Sequence, residues 1–189
     1  MKYSFALFFL LILFSCTSDK EQRQETIRSI DVDVELIRFD SIFMNTPPEN
    51  VVQLRNEYPQ FFQDRYQDDV WTRKRKDSLM QVIYKEVKQQ FSSTDSLQNQ
   101  LEKLFQHYKY YFPDKEIPEV YTVAEYVDYR NKVLLNGNNL IISLDNYLGK
   151  DHRFYIDFED YISKLQTKNQ ILPDVVDALS EEFISAEKQ

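Results

Sequence analysis

One cysteine, two glycines, two histidines and one tryptophan are all that 189 residues contain of those four types. Each scarcity excludes something. Two separated glycines, Gly137 and Gly149, cannot build a glycine-rich phosphate cradle, which removes P-loop and dinucleotide-binding readings. His107 and His152, with no HExxH anywhere, leave almost no material for a histidine-built metal or catalytic site. A lone cysteine cannot close a disulfide within the chain, so the fold must hold by packing. Positive charge is also short. The 23 Lys and Arg stand against 31 Asp and Glu, a net charge of −8 that repels phosphate backbones and argues against nucleic acid as a partner.

What is present begins with an address. Lys2 precedes ten apolar residues, Phe5 to Phe14, and the small Ser15 follows them. Ten helical residues reach roughly 15 Å, half of a hydrocarbon core of about 30 Å, so the segment reads as an export signal and not as a mature membrane span. It ends in Leu13-Phe14-Ser15-Cys16, which resembles a bacterial lipobox in which Cys16 becomes the first mature residue and carries lipid. The plainer alternative is an ordinary secretory signal with an incidental cysteine. One acyl chain anchors marginally, so stable residence needs several. Thr17, in place of the aspartate associated with inner-membrane retention in enteric bacteria, favours the outer membrane. Thr17 to Thr26 has the polar composition of a flexible tether. With residues 1–15 removed, Lys2 leaves too, and 22 basic against 31 acidic residues give a mature charge of −9.

Along the rest of the chain the apolar periodicity changes with position. Residues 30–39, IDVDVELIRF, alternate Ile30, Val32, Val34 and Leu36 with Asp31, Asp33 and Glu35, the pattern of a half-buried strand with an acidic outer face. Val51, Leu54 and Tyr58 mark a short helix that Pro59 closes. From Ser78, Leu79, Val82, Ile83, Val87 and Phe91 fall at helical spacing; so do Leu97, Leu101, Leu104, Phe105, Tyr108 and Phe112, with Pro113 ending the run. Beyond Pro118 the stretches EVYTVAEYVDY and KVLLNGNNLIISL predict a small sheet, with a hairpin at Asn136-Gly137. Asp145 to Leu148 predicts a helical turn closed by Gly149, and Val175, Val176, Leu179 and Phe183 predict a closing helix.

Few residues offer chemistry. Counting 100° per residue from Leu101 places His107 at the shoulder of its helix's apolar stripe, where a histidine bonded to a backbone carbonyl is expected, while His152 lies in a charged loop and is expected to be exposed. Asp157, Glu159 and Asp160 in DFED, and Asp177 with Glu181 one turn apart, could pair for acid/base chemistry, though no apolar sequence encloses them and the EF-hand spacing is missing. Arg73-Lys74-Arg75-Lys76 reads as the solvated first turns of a helix. The surplus of 13 Tyr and 14 Phe suits a core first and a binding face second.

Five segments, ELIRFDSIF (35–43), YPQFF (58–62), FQHYKYYFP (105–113), IPEVYTV (117–123) and ISLDNYLG (142–149), together with the lipobox, resemble the GldB-type gliding-motility lipoproteins of Bacteroidota. The resemblance spans roughly residues 30–185, and members of that family usually continue past the point where this chain stops. It implies an α+β, helix-rich single domain with a small antiparallel or mixed sheet, preceded by a lipoprotein signal peptide. The domain limits expected are 1–15 for the signal, 16–29 for the lipidated tether and 30–189 for the GldB-like domain. It implies an outer-membrane lipoprotein of the gliding and type IX secretion apparatus, working through envelope-protein partners, with no enzymatic activity, no metal and no small-molecule cofactor. Cys16 is the lipidation site, and His107, Tyr108, Tyr110, Tyr111, Asp145 and Tyr147, all within the family-like segments, form the candidate interaction surface. The rival expectation is an envelope glycan or peptidoglycan hydrolase using the paired carboxylates.

Overall fold

The structure, a computed structural model, describes residues 19–63 and 65–186. The signal peptide and Cys16 lie outside the described residues.

The segment expected to be a tether is helical over residues 19–28 (α1). Its glutamates, glutamines and arginines are good helix formers, and Ile27 gives it one apolar residue to bury, 1% exposed. The Gln106 side chain donates to the Ile30 carbonyl (3.2 Å) just after it, tying the segment to the body.

Residues 31–37 run extended with the alternating burial their sequence dictates: Asp31, Asp33 and Glu35 are exposed, Val34 and Leu36 buried. Only β1 (Leu36–Ile37) forms ladder bonds. The period of two reported an alternately buried extended chain, which a strand partner engages only at its end. Then follow α2 (Phe39–Asn45), α3 (Val51–Glu57), α4 (Asp68–Lys76), α5 (Ser78–Gln90) and α6 (Asp95–Tyr111). Next come β2 (Glu119–Val123), β3 (Val133–Asn136), β4 (Asn139–Ser143), α7 (Asp160–Ser163) and α8 (Ile171–Ala186).

The sheet is mixed, in the order β1-β2-β4-β3. β2 lies parallel to both β1 and β4, and β3 is antiparallel to β4. The hairpin between β3 and β4 turns on Gly137 and Asn138, since Asn136 and Asn139 are themselves paired. Gly137 at φ 57° is the first central residue, the position where this kind of turn needs positive φ.

Both faces of the sheet are covered, so four of the five residues of β2 are buried. On one face Leu36, Val120, Leu140 and Ile142 pack with Ile83 and Val87 of α5, Leu101 and Phe105 of α6, and Val175 and Leu179 of α8. On the other, Ile37, Tyr121, Val123 and Ile141 meet Phe39, Phe43, Leu54, Phe62 and Trp71. This second layer is rich in aromatic rings.

Several sequence expectations are refined. The helix from Ser78 exists, but it buries Met80, Ile83, Tyr84 and Val87, leaving Leu79 and Val82 exposed. Its start is set by Asp77, whose carboxylate accepts the Met80 N–H (2.9 Å). The basic run 73–76 is the last turn of α4 and not the first, which suits cations to the negative end of the helix dipole. Nor is it uniformly solvated, because Arg75 is buried. α8 opens two residues before Pro173, within the first turn where proline leaves no hydrogen bond unmade. Among the described residues, no helix is long and apolar enough to cross a membrane.

Candidate functional site

The six expected surface residues do not share one surface. Asp145 and Tyr147 are completely buried, which removes them from any interaction face. Their roles are internal. The Asp145 carboxylate accepts the backbone N–H groups of Glu125 (3.1 Å) and Val127 (2.8 Å), and its backbone carbonyl accepts from the Tyr155 hydroxyl (2.6 Å). Burial outweighs those bonds and pushes the Asp145 carboxyl up to about 6. Tyr147 donates to Asp174 (2.8 Å), which also pairs with Lys132, and burial followed by that carboxylate raises the phenol's pKa. The remaining four lie on the last turns of α6. Tyr108 is buried, His107 and Tyr110 are half-buried, and Tyr111 is exposed beside an apolar groove shared with Phe112, Val176 and Phe183.

Asp157, Glu159, Asp160, Asp177 and Glu181 are all exposed, without the enclosure that separates two carboxyl pKa values for catalysis. His152, expected to be exposed, is half-buried: its Nδ1 accepts the Phe154 N–H (3.3 Å) and its Nε2 lies 3.6 Å from Glu86.

A concave feature lies elsewhere, at the carboxyl ends of the parallel strands β1 and β2, the edge where ligands enter open sheets of this kind. Arg38 and Asp40 leave β1 there. The Arg38 guanidinium grips the buried Asp40 carboxylate through two bonds (2.9 and 2.7 Å) and donates a third to the Phe91 carbonyl (2.8 Å), while Thr122 of β2 donates to the same carboxylate (2.6 Å). Burial disfavours the Arg38 charge, but its partner Asp40 more than compensates, and its pKa is raised. This lock fixes α2 against β2 and carries Phe39 and Phe43 into the aromatic layer.

Phe39 stacks on Phe61 (3.9 Å between ring centres), and Trp71 meets Phe62 edge-on at 5.0 Å. Between these rings, Met44 and Val123 remains a cavity of about 40 Å³. Beyond it opens a cleft of about 700 Å³ whose walls include Tyr66, Arg73, Asp77 and Tyr126. Phe61, Trp71, Lys74 and Glu125 line both, so the two adjoin. Lys74 bridges to Glu125 at the junction. The Trp71 indole N–H is buried without a partner among the described residues.

Glu125 and Tyr126 are presented by a loop held in an uncommon conformation. Val127 has φ 56°, an outlier for a β-branched residue, and strain of that kind runs to about 1–3 kcal/mol. The two bonds to Asp145 hold it there. Sequence reasoning missed this cleft because its walls come from four separate stretches: residues 39–44, 61–63 with Tyr66, 70–77 and 123–126. The signals that could have marked it were the aromatic pairs in FDSIF and YPQFF and the single Trp71 within the charged stretch DDVWTRKRK.

Two comparisons, with curated proteins and with solved structures, find no match. The family of gliding motility protein GldB matches residues 20–189, which takes in α1, the sheet and both helical layers. With that span and the fold above, the chain belongs to the GldB family of gliding-motility lipoproteins.

Proposed function

We propose that this protein is an envelope lipoprotein, acylated at Cys16 and held at the outer membrane, that supports the gliding and type IX secretion machinery by binding other envelope proteins. It works in this reading as a docking body, not as an enzyme, and needs no cofactor. The observation that carries the reading is the aromatic cleft at the ends of β1 and β2, a feature of ligand-binding size opening on a domain whose family is named for gliding motility. Aromatic side chains on rigid elements are what protein interfaces favour, because they offer large contact area at little entropy cost. The buried lock of Arg38, Asp40 and Thr122 beneath it is a positioning device, since every Asp40 oxygen is already engaged. The hydrolase reading gains nothing from carboxylates spread over the solvent face.

The test is made in the native host. Palmitate labelling of the wild-type protein and of Cys16→Ala should differ, with label lost in the variant. A deletion strain should stop spreading on agar, and Cys16→Ala should fail to restore it. Equal label in both proteins would end the anchoring, and normal spreading of the deletion strain would end the motility role.

A further inference from the structure

The charges at the cleft are arranged around one removable cation. Lys74 projects from the last turn of α4, pairs with Glu125, and places its ammonium 6.0 Å from the Phe43 ring centre, 6.0 Å from Trp71 and 5.9 Å from Tyr126. Three rings and a carboxylate around an ammonium make a cation site, and here the chain fills it with its own lysine. A second acid stands nearby. After burial, Asp77 and then Glu125 raise the pKa of the Tyr126 hydroxyl, so both carboxylates act on that wall. Asp77 is fixed there by its bond to the Met80 N–H. The neighbouring cations do not cancel these acids. Arg73 turns to Asp69 (3.1 Å), and the buried Arg75, over the Phe43 ring at 6.0 Å, donates to the Thr46 carbonyl. Lys74 also lines the small cavity walled by Phe39, Phe43, Met44 and Val123, with Asp40 and Glu125 among its polar lining and room for the end of an aliphatic side chain.

A lysine on a four-carbon stem can leave such a place and remain hydrated in solvent, whereas Glu125 and Tyr126, on the loop bonded to Asp145, and Phe43 and Trp71, buried on α2 and α4, cannot follow it. Resting on the reading of this chain as a docking protein, we propose that the cleft receives a basic segment of a partner protein, whose arginine or lysine takes Glu125 and the three rings from Lys74 while a neighbouring aliphatic side chain enters the small cavity. The net charge of −8 steers such a segment toward the molecule. Arginine suits the rings better than lysine, because its planar guanidinium stacks and sheds water more readily.

Trp71 is the only tryptophan, so its emission reports on the cleft alone. Full-length protein in detergent micelles is titrated with a blocked Gly-Leu-Arg-Leu-Gly-Ser peptide, with the same peptide carrying Glu for Arg, and with phosphoethanolamine. The arginine peptide should shift Trp71 emission saturably and more weakly at high salt, and the other two should bind at least about tenfold more weakly, the scale of one charge-assisted contact. Glu125→Gln should weaken the peptide about tenfold, and Lys74→Met should tighten it several-fold by removing the resident cation. Lys74→Gln, with near-ultraviolet circular dichroism, guards against a folding defect. Equal binding of the two peptides, phosphoethanolamine matching the arginine peptide, no emission change, or weaker binding by both Lys74 variants would overturn the proposal. A failed titration in a protein whose deletion still abolishes spreading retires the cleft and leaves the motility role. A successful titration with unimpaired spreading does the reverse.

Discussion

The carboxylate of Asp145, without solvent exposure, accepts the Val127 N–H at 2.8 Å and so holds a β-branched residue at φ 56°. A position just after the sheet's last strand thereby sets the shape of the loop that follows its second strand. Asp145→Ala leaves the N–H groups of Glu125 and Val127 unpaired, and each such loss amounts to about 1–3 kcal/mol. Urea unfolding should show a loss of about 2–6 kcal/mol in total. Val127→Gly trades relief of the backbone against lost packing and should change stability by less than about 1 kcal/mol.

The same carboxyl gives a pH signature. Its folded pKa of about 6 lies above the ordinary 3.8, so between those values the native state holds a proton that the unfolded chain releases. Stability from this group is therefore full below pH 4 and lost as pH rises through 6. At about 1.4 kcal/mol per pKa unit, the loss is about 3 kcal/mol. Asp145→Asn has no such proton. Denaturation midpoints of the two proteins from pH 4 to 7 should show the wild-type advantage shrinking by about that amount. A constant or growing difference would rule out the buried carboxyl as its source.

The half-buried Arg38 and the buried Asp40 form a pair whose removal by halves should be worse than removal together. Asp40→Leu alone strands the Arg38 guanidinium and the Thr122 hydroxyl, with an expected loss of about 3–5 kcal/mol. Arg38→Met with Asp40→Leu should recover most of that loss, because apolar groups of similar volume often replace such pairs without net destabilisation. A double-mutant cycle by chemical denaturation measures the coupling.

The face of α5 is tested by two neighbours. Met80 is 0% exposed and Leu79 is 49% exposed. Met80→Ala should lose about 2–5 kcal/mol, and Leu79→Ser less than about 1 kcal/mol, in thermal or urea melts.

Much of the fold was written in local patterns. The stripe from Leu97 to Tyr108, the hairpin at Gly137 and the closing helix with Val175 and Leu179 each follow from spacing within one element. The α5 face was misjudged because Leu79 and Met80 are both apolar and only the packing partner decides between them. The polar stretch Thr17 to Thr26 reads as a tether, and composition does not show that the helix over residues 19–28 has a place to bury Ile27. Asp145 and Tyr147 looked like surface residues for the same reason, as polarity in a sequence is silent about buried partners such as the Val127 N–H and Asp174. The cleft was illegible because Phe43, Phe61, Trp71 and Glu125 converge only through the aromatic layer on the sheet, a relation of distant segments that no period encodes.

Spreading of a strain whose only copy carries Glu125→Arg bears most directly on the idea of a lipid-anchored body acting through its cleft. Glu125 is half-buried at the mouth, so the charge reversal should leave protein level, palmitate label and thermal midpoint close to wild type. The expected result is loss of spreading with all three preserved. Wild-type spreading by that strain would contradict it.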